Sequence, residues 1–133
     1  MLLFIASVLS YDIWFYISHR MLHSPLLYPY HAVHHENVDL TWVDTYHEHW
    51  METPFQGIGA FFPLALGVPL DVTEMGLTIL YLNVRGVCQH EPRLSWLVGD
   101  HHVIHHRNQR WNFGQPWIDA LVGTSKPMSF VNV

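Results

Sequence analysis

The chain has 133 residues, enough for one domain, and 13% are charged, about half the share of an ordinary soluble domain. A formal charge of -5 excludes the basic footprint of a nucleic-acid binder. The single Cys88 excludes an internal disulfide framework and any cysteine-rich zinc or iron–sulfur site, whereas 12 histidines outnumber the 6 lysines and arginines two to one. A metal bound here is bound by imidazole, which allows Fe, Zn, Cu or Ni.

Residues 2–17 are apolar apart from Ser7, Ser10 and Asp12. The run is somewhat short of the roughly 20 residues of a full membrane span, so further residues ahead of it are expected. No basic residue precedes it, which argues against a signal peptide. Asp12, Tyr16, His19 and His23 follow at i, i+4, i+7 and i+11, one stripe of a helix. A carboxylate in an apolar helix is costly. Asp12 is therefore expected to accept a hydrogen bond from the outer nitrogen of a histidine ligand. The second apolar region, residues 55–87, is broken by Gly67, Pro69, Asp71 and Glu74. It predicts two short helices joined by a turn near 69–73. The pair either dips into a membrane or packs as a soluble helical hairpin.

No lysine or arginine lies ahead of residue 17 or in the 69–74 turn. If both apolar regions are inserted, Arg20, Arg85, Arg93, Arg107, Arg110 and Lys126 all lie at or near one membrane face, which the positive-inside rule makes cytoplasmic. The histidines fall on that same side. Trp42, Trp50, Trp96, Trp111 and Trp117 suit interface anchors or core positions. The fold expected is all-α: a membrane-embedded helical bundle with a histidine-rich cytoplasmic face, in one domain over residues 1–133.

The histidines form three clusters: His19 and His23; His31, His34 and His35; His102, His105 and His106. Residues i, i+3 and i+4 share a helix face, so each cluster can grip one metal region. Eight imidazoles exceed what one tetrahedral zinc needs and suit two neighbouring metals.

In order, these motifs resemble the fatty acid hydroxylase / sterol desaturase superfamily. Its D-x3-Y-x2-HR-x2-H pattern is matched by Asp12, Tyr16, His19-Arg20 and His23, and its LY-x2-H-x2-HH by Leu27-Tyr28, His31, His34 and His35. His49 and Glu52 resemble an H-x2-E element, and His90 matches a lone family histidine after the hairpin. His102, His105 and His106 precede an N-F-G turn at Asn112-Phe113-Gly114, and Asp119 with Gly123-Thr124 matches the closing D-x3-GT, so the core motifs cover residues 12–124.

The resemblance implies a non-haem centre of two iron ions that uses O2 to hydroxylate or desaturate a fatty acyl, sterol or related lipid. The implied ligands are His19, His23, His31, His34, His35, His90, His102, His105 and His106. Asp12, Tyr16, Glu52, Asn112 and Asp119 support them. Some members carry another histidine one turn before His90, where this chain has Gly86. A further ligand would then come from His49 or His101, whereas His47 has the weakest claim and reads as an exposed loop residue. Electrons would come from a separate donor such as cytochrome b5 or a ferredoxin with its reductase. The expected place is a bacterial inner membrane or the endoplasmic reticulum, with the centre facing the cytoplasm. Phe55, Phe61, Phe62, Leu64 and Leu66 are candidates to line the lipid site, and Arg107 and Arg110 could attract an anionic donor or headgroup.

Three other readings compete. A zinc hydrolase would carry HExxH, which neither His35-Glu36 nor His47-Glu48 begins. A membrane haem protein would place single histidines deep in apolar spans. A non-catalytic metal-binding protein of the same fold would share these ligands and differ in lacking O2-dependent product formation.

Overall fold

The computed structural model describes residues 1–126. It is all-helical, with no strand among the described residues. The α-helices are α1 (Leu2–Leu22), α2 (Tyr28–His31), α3 (Glu52–Gly57), α4 (Phe62–Ala65), α5 (Val72–His90), α6 (Ser95–Val98), α7 (His101–Arg107) and α8 (Pro116–Val122). Tighter 3-10 turns at Trp42–Tyr46, Ile58–Phe61 and Pro92–Leu94 join them. The long helices α1 and α5 pack side by side, α3 and α4 lie along α1, and α2 and α7 bring their histidines to the histidine-bearing ends of the pair.

α1 has 21 residues, about 32 Å at 1.5 Å per residue. It alone among the described helices is long and apolar enough to cross a membrane. Its burial pattern is the reverse of a water-facing helix. Ser7, Asp12, Ser18 and His19 are buried, while Leu2, Ile5, Leu9, Ile13, Ile17 and Met21 are exposed. In water such a helix would turn its polar stripe outward.

The second apolar region departs from two simple arms. Its first arm is broken into α3, a 3-10 turn and α4, with Pro63 in the first turn of α4. The break brings Gly59 against α1, where an added Cβ would lie 2.6 Å from the Cβ of Trp14. Ser10 Oγ and Trp14 Nε1 then donate to the carbonyls of Gly59 and Phe55, at 2.7 Å each. The second arm is α5, capped by the Asp71 carboxylate, which accepts from the Glu74 amide at 2.9 Å. The turn before it lies at 66–71, ahead of the 69–73 expected, because Asp71 caps α5 and makes Val72 and Thr73 its first turn.

Two expectations need correction. Asp12 meets no histidine: Arg85 Nη2, from α5, donates to its Oδ1 at 2.5 Å. Each residue sits inside an apolar helix, and a buried charge there demands an opposite partner. By the same contact Arg85 is no cation of the membrane face. It is largely buried at the level of Asp12, midway along α1.

Candidate metal centre

The nine histidines singled out by sequence meet in two groups. His19, His23, His31, His35 and His105 form one, and His34, His90, His102 and His106 form the other. Within each group the ligand-capable nitrogens lie within 4.8 Å of one another. Each H-x2-HH motif splits the same way. Its i, i+4 pair stays in one group, and the i+3 histidine crosses to the other. Thus His31 and His35 stay together while His34 crosses, and His102 and His106 stay together while His105 crosses. The His35 and His106 rings, one from each group, approach to 4.5 Å between centroids.

The outer nitrogens show which way the rings are held. His19 Nδ1 donates to the Phe113 carbonyl at 2.6 Å, and His31 Nδ1 to the Glu52 carboxylate at 2.6 Å. His34 Nδ1 donates to the His47 carbonyl at 3.1 Å, His90 Nδ1 to the Gly86 carbonyl at 2.9 Å, and His105 Nδ1 to the Trp111 carbonyl at 2.7 Å. A carbonyl oxygen can only accept, so a neutral ring held by one carries its proton on Nδ1 and a bare lone pair on Nε2. Yet the Nε2 atoms of His19 and His31 stand 3.0 Å apart, and those of His34 and His90 3.2 Å apart. Neither nitrogen of the His34–His90 pair has a proton to share. Such an approach is repulsive unless a cation lies between. Two nitrogens bound to one ion at about 2.1 Å and near right angles are themselves about 3.0 Å apart. Both groups therefore fit a metal ion, held in the way metal-binding imidazoles are usually oriented.

The electrostatics agree. Burial, reinforced by neighbouring imidazoles, holds the charged forms of His34, His35, His102 and His106 far below the ordinary histidine range. Burial and the His105 ring bring His23 down to about 2, and burial brings His105 to about 4. These rings are neutral at physiological pH, the form that binds metal.

The supporting residues act mostly through backbone. Asp119 accepts from the amides of Phe113 and Gly114 at 2.9 and 2.8 Å, from Thr124 Oγ1 at 2.7 Å and from His101 Nε2 at 3.0 Å. Asn112, at φ 62°, donates to the His101 carbonyl and accepts from the Lys126 amide. Together they fix the turn whose Trp111 and Phe113 carbonyls receive His105 and His19. Tyr16 packs under that turn, so close that a Cβ on Gly114 would stand 3.0 Å from its ring, and its hydroxyl meets Thr124. Of the five supporting residues expected, Glu52 alone touches a grouped histidine with its own side chain.

Neither His49 nor His101 belongs to a group. His49 packs on Tyr30 and Trp50, and His101 is held by Asp119. Gly86 offers no ligand, and the Thr45 side chain lies 3.2 Å from where a Cβ on it would stand. The His47 side chain is exposed and pairs with Glu36, as expected of a loop residue, but its carbonyl orients His34.

A cavity of about 670 Å³ runs from the histidines between α1 and α5, and His19, His31, His34, His90 and His102 line it together. Its apolar walls are Tyr11 and Phe15 of α1, Ile58 and Phe61 after α3, and Ile79 and Leu82 of α5. Of the apolar side chains expected there, only Phe61 lines it. Phe55 and Phe62 are drawn away onto the Trp14 ring, at 5.7 and 5.3 Å, and Leu66 is 85% exposed. Sequence missed Tyr11, Phe15 and Ile79 because their apolar character is equally that of membrane or core.

A family model described as fatty acid hydroxylase matches residues 4–124. The chain belongs to the fatty acid hydroxylase family. No solved structure matches it. Membership fits what the groups and the cavity can do together: oxidation of a lipid at a histidine-held metal, in an enzyme of the hydroxylase type. In this member of the family the matched residues span every histidine of both groups.

Proposed function

We propose that the chain is an O2-dependent oxidoreductase that hydroxylates or desaturates a fatty acyl, sterol or related lipid at two non-haem iron ions. His19, His23, His31, His35 and His105 would hold one ion, and His34, His90, His102 and His106 the other. The observation that carries the reading is the gathering of nine histidines into two adjoining groups, with facing lone pairs at His34 and His90. Bound iron would supply the O2 activation that breaking an unactivated C–H bond needs, which no amino-acid side chain supplies. The chain's own part is to hold and orient. Backbone carbonyls and Glu52 fix the rings, and the apolar walls bring a hydrocarbon to the histidines and keep water away. Two groups joined through shared H-x2-HH motifs suit two ions acting together.

The inside-out burial of α1 supports a membrane setting, and the exposed basic residues at the histidine end support a cytoplasmic orientation. Trp42, Trp50, Trp96 and Trp117 are exposed and suit its interface. Arg107 and Arg110, exposed on and just after α7, would meet an acidic electron donor such as cytochrome b5 or a ferredoxin.

The test is anaerobic loading of detergent-purified protein with Fe(II), followed by elemental analysis and Mössbauer spectroscopy. About two irons per chain, magnetically coupled after O2, are expected. About one tightly held zinc with no iron uptake would leave a metal-binding protein of the same fold as the better account.

A further inference from the structure

Two cavities meet at one face of α5. Besides the cavity that reaches the histidines, a second of about 310 Å³ lies between α5, α6 and the start of α8. The two share three lining residues, Arg85, Gln89 and Gln115. The rest of the second cavity is Tyr81, Val84, Cys88, Leu97 and Val98, with no charged or amide side chain. A polar station thus sits where the two cavities join, at the mouth of a second cavity otherwise free of charged and amide groups. Polar groups in such a wall are costly unless something hydrogen-bonds to them.

Their present partners leave capacity over. Arg85 donates through Nη2 to Asp12, between the rings of Tyr11 and Tyr81 at 5.7 and 5.4 Å. Gln89 Nε2 donates to Gln115 Oε1 at 3.2 Å. Among the described residues, the other guanidinium N–H groups of Arg85 and the amide donors of Gln115 have no side-chain partner. Charge decides what they would take. Asp12 already neutralises Arg85, so a carboxylate brought here would set two anions around one guanidinium. A neutral oxygen acceptor meets no such repulsion. The station also lies beside the metal centre, since Arg85, Gln89 and Gln115 line the same cavity as His90 and His102.

We propose that Arg85, Gln89 and Gln115 form a subsite for a neutral oxygen function of the lipid, a hydroxyl or an ester or amide carbonyl. The subsite holds that oxygen near His90 while hydrocarbon extends into the two cavities. This rests on the larger cavity being the substrate site of the proposed oxidoreductase. It selects an alcohol, ester or amide lipid over a free fatty acid of the same length.

The test is equilibrium competition, independent of turnover. Iron-loaded protein in lipid nanodiscs binds a pyrene-labelled hydrocarbon, which is displaced by hexadecanol, methyl palmitate or palmitate at alkaline pH. The alcohol and the ester are expected to displace the probe at concentrations at least about tenfold lower than palmitate. Gln89→Leu and Gln115→Leu should each erase most of that difference. Asp12→Asn, which keeps size and frees the guanidinium charge, should shift the preference towards palmitate. A purely structural Asp12–Arg85 pair would not produce that reversal. Palmitate binding as tightly as hexadecanol, or a preference unmoved by all three variants, overturns the subsite. Displacement by none of the lipids from protein holding two irons overturns it too, while leaving the metal centre standing. Failure to take up iron would instead strike the proposed function, and displacement from the metal-free chain would still read the subsite.

Discussion

Glu52 is the one carboxylate among the described residues that hydrogen-bonds a grouped histidine, and replacing it isolates one half of the centre. Both partners of the Glu52–His31 contact are 1% exposed, and the bond is 2.6 Å. A buried anion at the back of a ligand ring fixes its tautomer and raises the electron density it offers the metal. Removing such a partner costs about 10–100-fold in metal affinity, or about 1.4–2.8 kcal/mol. Glu52→Gln keeps the size and can still accept from Nδ1, so its loss should fall near the lower bound. Glu52→Leu leaves the His31 N–H buried without an acceptor, and should reach the upper bound and lower stability by about 1–3 kcal/mol besides. The loss should fall on one ion, because Glu52 touches only the group of His19, His23, His31, His35 and His105. The assay is Fe(II) competition against a chromophoric chelator, with helix content followed by circular dichroism and the two sites resolved by Mössbauer spectra. Glu36→Gln, which removes only an exposed pairing with His47, is the control and should change nothing. Equal weakening of both sites, or affinity in Glu52→Leu unchanged within about twofold, would refute the orientation argument.

Other expectations follow from the same geometry. His34→Ala and His105→Ala, one from each group, should abolish metal-dependent turnover while leaving membrane insertion intact; His47→Ala should leave turnover near normal, because its exposed ring orients nothing and its carbonyl is retained. Gly59→Ala should destabilise by about 1–3 kcal/mol in thermal unfolding, since the new methyl group meets the Cβ of Trp14, which cannot swing aside. Asp119 is buried, which by itself would raise its pKa, but hydrogen bonds from His101, Thr124, Gly114 and Phe113 outweigh that and hold it below the usual carboxylate value. A lowered folded-state pKa gives stability that is complete above about pH 4 and is lost as the pH falls through the folded value. Asp119→Asn should therefore lower the melting temperature at neutral pH and flatten its fall in acid; a variant with the wild-type acid profile would place the acid sensitivity elsewhere.

Much of this centre was written in the spacing of the histidines, and the part that was not has a physical reason. The 3.6-residue period puts His19 with His23, His31 with His35 and His102 with His106, and each of those pairs does share a group. What the period cannot show is that the i+3 histidine of each motif points across to the other group. That depends on how α2 and its following turn face α7, a tertiary relation. The orienting acceptors were still less legible. The carbonyls of Gly86, His47, Trp111 and Phe113 carry no side-chain signature, so a histidine with no apparent role, His47, proved to place a grouped ring through its backbone. Asp12 misled for a related reason. Its cost in an apolar helix signalled a partner, but imidazole and guanidinium answer that demand equally well on sequence, and only the packing of α5 on α1 decides for Arg85.

The same packing explains why the histidine end and the apolar passage belong to one device. α1 carries Tyr11 and Phe15 on the cavity side and His19 one turn further on. α5 carries Ile79, Leu82 and Gly86 before His90. Each long helix thus presents apolar wall and then imidazole to the same space, so a hydrocarbon lying along them is led to the histidines with no further element. Gly86 completes this. A larger residue there would press on Thr45 and narrow the passage just above His90, so a side chain at this position and an open approach to the four-histidine group compete for the same volume. The chain has kept the approach.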